Sequence, residues 1–271
     1  MKLGFRPPKD PEGFLAYARA LAGTYAFIEL PGSAAEALEG VALEARAMGF
    51  RLTYHARYLD LYPAALEPAI REASLRLLRE DLDRAARLEV ELVNTHAGSI
   101  PWTDYPPPGL SLAHEALREA EARLRREALE RALEAFAHLS RLALDLGVRL
   151  TLENLPAPQE LPRTPEEMAL FLEVPDLYFC LDLGHARMAG QDPTAFLEAL
   201  GPRLVHVHAH TNDGRYDLHL PPGPAELLPF ANTPCTLLVE LPPRSVEEYL
   251  EVHQRLASAG LIPEATGGDS G

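Results

Sequence analysis

Six short β-rich runs of this chain end in side chains that can bind a cation or carry a proton. They read Leu52-Thr53-Tyr54-His55, Leu92-Val93-Asn94-Thr95-His96, Leu150-Thr151-Leu152-Glu153-Asn154, Cys180-Leu181-Asp182-Leu183-Gly184-His185, Val205-His206-Val207-His208-Ala209-His210 and Leu237-Leu238-Val239-Glu240. One histidine or acid at a strand end is ordinarily a cap or a packed side chain. Six in succession carry more weight, because strand ends that converge would bring all of these groups into one small volume. Carboxylates crowded there repel one another unless cations lie between them. Imidazole and carboxylate without thiolate suit Zn, Mn, Co, Fe or Mg. The economical reading is a divalent-metal site.

The histidine run has to be sorted. His206, His208 and His210 share strand parity and face one side. Each step of two residues advances about 6.6 Å, so the three cannot reach one ion. His206, the deepest, is expected to pack inside; His208 is the expected ligand; His210 is placed at the rim. Downstream, Asp217 and His219 at i and i+2 could serve another ion or belong to plain loop chemistry.

The elements that must position these groups alternate. Strands are expected near 2–6, 25–30, 50–55, 91–96, 148–153, 177–182, 203–210 and 235–241. Helical periodicity fills 11–22, 33–48, 64–89, 110–146, 164–173, 185–200, 224–230 and 244–259. Ser33 and Thr164 read as N-caps, the latter with Pro165 and a box glutamate, and Gly49 and Gly147 as helix stops. Eight strands alternating with helices in 271 residues predict an α/β fold, a single (β/α)8 TIM barrel over residues 1–262. Its catalytic mouth would lie at the C-terminal strand ends. An open doubly wound sheet is the alternative, but no G-x-G-x-x-G follows a strand. The glycine-rich stretch 263–271 is expected to be a disordered tail.

Composition narrows the function. The formal charge is −15, and lysine occurs only at Lys2 and Lys9, against 23 arginines. A protein that grips nucleic acid through phosphates usually has the opposite balance. No apolar run approaches a membrane span and no signal peptide is evident, so a cytoplasmic protein is expected. Cys180 and Cys235 lack C-x-x-C spacing, which argues against a disulfide framework or a thiolate zinc site. Seven amide side chains and 25 prolines fit a thermophile, as they would a GC-rich genome. The loop Ile100–Gly109 holds the single tryptophan, Trp102; it reads either as a rigid surface loop or as a lid with Trp102 or Tyr105 over a substrate.

Five segments carry a resemblance: Tyr54-His55-Ala56-Arg57-Tyr58-Leu59, Thr95-His96-Ala97-Gly98-Ser99, Leu152-Glu153-Asn154, Leu181-Asp182-Leu183-Gly184-His185-Ala186 and Asp217-Leu218-His219-Leu220-Pro221. Their order and spacing over residues 50–241 resemble the xylose isomerase-like TIM-barrel superfamily, which holds sugar isomerases and epimerases and also endonuclease IV. The resemblance implies one divalent ion on Glu153, Asp182, His208 and Glu240. Endonuclease IV-like ligands would add His55, His96, His185, Asp217 and His219, for more than one ion, with Zn or Mn the first expectation. Against the nuclease, Leu30-Pro31-Gly32-Ser33-Ala34-Ala35-Glu36 stands where its DNA-inserting loop would be. Tyr58 matches a DNA-contacting position, though an aromatic there also stacks on a sugar.

The expected function is therefore a metal-dependent isomerase or epimerase of a small sugar or sugar phosphate. Glu153 and Glu240 would exchange a proton with the substrate, His185 would steady a hydroxyl or the developing enediolate, and Tyr58, Trp102 and Arg215 would bind substrate, with Arg57 also near the mouth. The alternatives are an endonuclease IV-like zinc phosphodiesterase and a non-catalytic metal- and sugar-binding relative.

Overall fold

The computed structural model describes residues 1–100 and 111–263. Eight parallel strands close a barrel in chain order: β1 Lys2–Phe5, β2 Phe27–Pro31, β3 Arg51–His55, β4 Leu92–Thr95, β5 Arg149–Glu153, β6 Leu177–Asp182, β7 Leu204–Ala209 and β8 Thr236–Val239. β8 pairs with β1 from Lys2↔Thr236 to Phe5↔Val239, so no edge is left open. The helices are α1 Pro11–Leu21, α2 Ala35–Ala47, α3 Pro68–Arg87, α4 Ser111–Asp145, α5 Pro165–Leu170, α6 Leu183–Met188, α7 Pro193–Leu200, α8 Pro224–Leu227 and α9 Val246–Ser258. This is the (β/α)8 architecture that the alternation predicts.

Local chemistry explains most boundaries. Thr164 caps α5 by accepting the Glu167 N–H at 3.3 Å, and Pro165 follows at the first helical position. The Glu167 carboxylate reaches the Arg163 N–H rather than that of Thr164, so the expected box closes one residue early. Gly49 and Gly147 take φ of +97° and +71°, as a helix stop before a strand requires. Two expectations are corrected. Ser33 does not cap α2; it lies in a 3-10 turn, Gly32–Ala34, and Ala34 precedes the helix without a side-chain bond. The single helix read over 185–200 is two, because Gly190 turns the chain at φ +68° and Asp192-Pro193 starts α7 afresh. The expected tail lies, from 264 on, outside the described residues.

The outer core fills the space between strands and helices with residues such as Phe5, Phe14, Leu38, Phe136, Phe171, Phe196 and Tyr249, all buried. Inside the barrel, Gly4 leaves room for the Phe27 ring: a Cβ there would stand 2.1 Å from it. Above Phe27 the interior turns polar, with Thr53, Glu29 and His206 buried on neighbouring strands. That polar column leads up to the mouth.

Candidate metal centre at the barrel mouth

Four strands contribute the innermost group. Glu153 ends β5, Asp182 ends β6, His208 lies one residue before the end of β7, and Glu240 follows β8. Around His208 Nδ1 stand Glu240 Oε2 at 3.0 Å, Glu153 Oε1 at 3.6 Å and Asp182 Oδ2 at 3.8 Å. Neither His208 ring nitrogen has a hydrogen-bond partner among the described residues, although both are buried. Three carboxylates converging on one orphaned imidazole nitrogen are costly when dry and are reconciled by a shared cation. The donor set thus fits a divalent ion, which Glu153, Asp182, His208 and Glu240 would hold. Cys180 also lies within ligand reach of His206 and His208, but burial pushes its thiol well above the usual range, which disfavours the thiolate a metal needs.

Glu153 reaches into a second group. His96 Nε2 lies 3.3 Å and His55 Nε2 3.6 Å from Glu153 Oε2, and the Asn94 amide donates to the same oxygen. One oxygen of Glu153 faces His208 and the other faces His55 and His96, so this side chain joins the two groups.

A third group forms nearer solvent. Asp217 Oδ2 stands 3.0 Å from His219 Nε2 and 3.5 Å from His185 Nε2. His210 Nε2 lies 3.0 Å from Asp182 Oδ1 and 3.7 Å from Asp217 Oδ1, and its ring stacks on His219 with centroids 4.0 Å apart. Gly184 makes this possible, since a Cβ at 184 would meet the His210 ring at 1.9 Å.

Main-chain carbonyls set three of these rings. His55 Nδ1–H donates to Ala56 O at 2.9 Å, His185 Nδ1–H to Asn154 O at 2.9 Å, and His219 Nδ1–H to Glu240 O at 3.1 Å. A carbonyl can only accept, so Nδ1 carries the proton and Nε2 is turned toward the carboxylates. Asp182 also accepts the His185 backbone N–H at 2.7 Å, capping α6 while presenting its other oxygen to the centre.

Charge is arranged to keep the acids ionised. Burial pushes Glu240 up, but Arg6, paired with it, and His208 together hold it well below the usual carboxylate range. Glu153 is likewise pushed up by burial and pulled far lower by His208, His96, His185 and His55. Burial lowers His219, and Asp217 and Glu240 more than compensate, bringing it to about 8.

Eight of the nine expected ligands fall in triads whose ligand atoms lie within 4.8 Å of one another: His55, His96, Glu153, Asp182, His185, His208, Asp217 and His219. Glu240 joins through His208. His210, placed at the rim on sequence grounds, is instead buried and belongs to two triads. Glu29, Arg6 and Asn94 were not anticipated. Glu29 had a readable signal, an acid flanked by Ile28 and Leu30 inside an apolar strand; Arg6 directly follows β1.

The expected substrate contacts divide. Tyr58 is half-exposed at the mouth, its ring 5.2 Å from His55 and 5.0 Å from His96. Arg215 lies over the Tyr216 ring at 5.1 Å, and none of its described contacts reaches the ligand groups. Arg57 is committed elsewhere, bonding Asp81 at 2.9 Å and Leu77 O at 2.8 Å. Among the described residues, the arginine paired with a candidate ligand is Arg6, which meets Glu240. Trp102 and its loop lie outside the described residues.

The barrel and the triads at its mouth define a TIM barrel with candidate metal-ligand groups at the C-terminal strand ends. The family described as xylose isomerase-like TIM barrel matches residues 15–233, and the chain belongs to that family. An uncharacterized protein of Methanocaldococcus jannaschii, MJ1311, is 30% identical over 181 residues, 64% of this chain; the chain spans 55% of that relative's length. A D-tagatose 3-epimerase-like protein superposes with a TM-score of 0.75 at 21% identity, covering 97% of this chain and all of the other. The TTHB071 protein of Thermus thermophilus, in crystals soaked with ZnCl2, superposes at 0.70 with 28% identity, covering 96% and 99% of the two chains.

Proposed function

We propose that this protein is a divalent-metal-dependent isomerase or epimerase of a small sugar or sugar phosphate. The observation that carries the reading is the ring of Glu153, Asp182 and Glu240 around His208 Nδ1, all buried at one mouth. A bound divalent ion would polarise a substrate carbonyl and its neighbouring hydroxyl, lowering the barrier to loss of the intervening proton. Glu153 and Glu240 come from β5 and β8, on different sides of the barrel, and both lie within 3.6 Å of the same nitrogen. One takes the proton from carbon and the other returns one, so the configuration at that carbon, or the carbonyl position, changes. Arg6 keeps Glu240 ionised between turnovers. His185 gives its Nδ1–H to Asn154 O, and as the imidazolium that Asp182, Asp217 and Glu153 favour it would donate Nε2–H toward the oxygen on which charge develops. Tyr58 offers a ring face to the sugar.

Architecture and chemistry agree with this choice: the fold is shared with a D-tagatose 3-epimerase-like protein, and crystals of a relative were soaked with zinc chloride, which makes Zn or Mn the first ions to try. A net charge of −15 and the commitment of Arg57 to Asp81 speak against a nucleic-acid partner. No helix among the described residues is long and apolar enough to cross a membrane. The test is elemental analysis of protein purified without chelator, followed by a screen of ketoses, aldoses and their phosphates. At least one transition ion per chain and exchange of the substrate α-proton with solvent deuterium are expected. Less than about a tenth of an equivalent, with no uptake of added Zn or Mn, would sink the metal reading.

The outer triad of buried His210 with Asp217 and His219 favours one second reading, a multinuclear phosphodiesterase of the endonuclease IV kind. A labelled duplex with an abasic site decides it. No incision is expected at physiological salt with Zn or Mn present; multiple-turnover incision that disappears in Glu153→Gln would install the nuclease.

A further inference from the structure

A buried polar column runs up the barrel interior beneath the centre. Thr236 Oγ1 lies 2.7 Å from His206 Nδ1, His206 Nε2 lies 3.2 Å from Glu29 Oε2, and Thr53 Oγ1 donates to that same oxygen at 3.4 Å. Glu29 Oε1 then faces His208 Nε2 at 3.4 Å, and neither of these two buried atoms has a hydrogen-bond partner among the described residues. Glu29 and His206 are each no more than 1% exposed. They touch no solvent and take no part in the chemistry outlined above.

With a cation in the site and both rings therefore neutral, the bonding capacities of these groups favour one assignment, in which the Thr236 hydroxyl turns to His206 Nδ1 at 2.7 Å rather than to Val205 O at 3.3 Å. An ionised carboxylate only accepts, so both imidazole nitrogens beside Glu29 must bring protons: His206 Nε2–H to Oε2 and His208 Nε2–H to Oε1. A neutral His206 then has a bare Nδ1, which the Thr236 hydroxyl can satisfy. A neutral His208 likewise has a bare Nδ1, and that lone pair is the one surrounded by Glu240, Glu153 and Asp182.

We infer that Glu29, backed by His206 and Thr236, is a positioning residue that locks His208 in the tautomer with its proton on Nε2, presenting Nδ1 to the cation. The inference rests on the reading of Glu153, Asp182, His208 and Glu240 as a metal site. Without Glu29, the His208 proton can sit on Nδ1, where it blocks the ligand atom. Partners of this kind behind a ligating histidine are typically worth 10–100-fold in metal affinity.

Glutamine at 29 cannot accept from both rings. Its oxygen serves one and its amide must donate to the other. Either His208 moves its proton to Nδ1, or His206 does so and turns its Nδ1–H on Thr236. Removing the Thr236 hydroxyl as well closes the second escape. The inference therefore predicts that Glu29→Gln weakens zinc binding about tenfold, that Thr236→Val alone changes it less than threefold, and that the double variant loses about 100-fold, more than the product of the singles.

The experiment pairs chelator competition for zinc on the full chain with long-range 1H–15N spectra of histidine-labelled protein. In zinc-loaded wild type, His208 is expected with its proton on Nε2 and Nδ1 metal-bound. The spectrum stands by itself if a variant does not fold, which far-UV circular dichroism reports. A wild-type chain that binds no zinc overturns the metal reading beneath this inference. Wild type that binds zinc through Nε2, or folded variants all within twofold of it, overturns this inference and leaves the metal reading intact.

Discussion

The mouth and the interior of this barrel hold their histidines by different means. At the mouth, His55, His185 and His219 each give Nδ1–H to a main-chain carbonyl and turn Nε2 inward. In the interior, His208 has no free carbonyl to use. It lies within β7, between β6 and β8, pairing with Asp182 and Leu238, so the surrounding main chain is committed to the sheet ladder. A side chain from another strand, Glu29, stands there instead. Rim histidines can thus be oriented by whatever backbone a loop leaves over, whereas an interior histidine needs a dedicated partner. The interior arrangement should tolerate substitution less.

The largest expected effect comes from the residue that belongs to both regions. Glu153 sends one oxygen to His208 and the other to His55 and His96. Glu153→Gln keeps the shape and removes an anionic ligand together with a proton acceptor. Turnover of the substrate found in the sugar screen should fall by about 10²–10⁴-fold, the usual worth of a positioned acid or base. Metal affinity measured by calorimetry should fall sharply. At neutral pH the metal-free variant should melt lower than metal-free wild type, because the histidines that hold Glu153 far below its usual range lose their anion. Unchanged metal binding would show that Glu153 is not a ligand and that the two regions are not joined through it.

The same contrast explains what the sequence revealed. The candidate residues at the rim and strand ends were legible because each is announced by its own segment: Tyr54-His55, Thr95-His96, Asp182-Leu183-Gly184-His185 and Asp217-Leu218-His219. The eight strands were legible from alternation, since closure of a parallel barrel demands that order. The supporting partners were not legible. Glu29 and His206 are 177 positions apart, and Arg6 and Glu240 are 234 apart, so nothing local marks them as pairs. His210 was misplaced at the rim because strand parity fixes the face on which a side chain lies but not how closely Gly184 of the preceding α6 and the His219 ring cover it. Arg57, expected near the mouth, is taken up by Asp81 on α3, 24 positions along the chain, which nothing local announces.

Gly184 allows an intermediate test of how the regions are packed together. An alanine there would place Cβ 1.9 Å from the His210 ring carbon, so the ring must move or the start of α6 must shift. Overpacking of this kind typically costs about 1–3 kcal/mol. At roughly 2–4 °C per kcal/mol for a chain near this size, the metal-free protein should melt about 2–12 °C lower. Displacing His210 also removes its bond to Asp182, at 3.1 Å. Calorimetric metal titration should show the outer site weakened more than the inner. Equal weakening of both would mean that His210 serves the interior through Asp182, and the division between mouth and interior would have to be redrawn.

The smallest effect should come from the rim alone. Asp217 is the shared acid of the outer group, 3.0 Å from His219 and 3.5 Å from His185, and unlike the inner carboxylates its side chain is 32% exposed. Water can therefore replace part of what it supplies, and its charge is screened more than that of Glu153. Asp217→Asn keeps the size and one carbonyl oxygen while removing the anion. His185 and His219 keep their main-chain bonds, so their rings should remain in place. The expected result is loss of one of two bound ions at micromolar zinc, or about a tenfold weakening of the second binding step, with the first step unchanged within twofold. The metal-free protein should lose up to about 1 kcal/mol at neutral pH, since the partly exposed Asp217 gives up its pairs with His185 and His219. Stoichiometry by elemental analysis and stepwise calorimetry read both quantities. A wild-type chain that takes up only one ion, or an Asp217→Asn protein that loses the first ion rather than the second, would show that the outer group is no separate site and that mouth and interior act on a single cation.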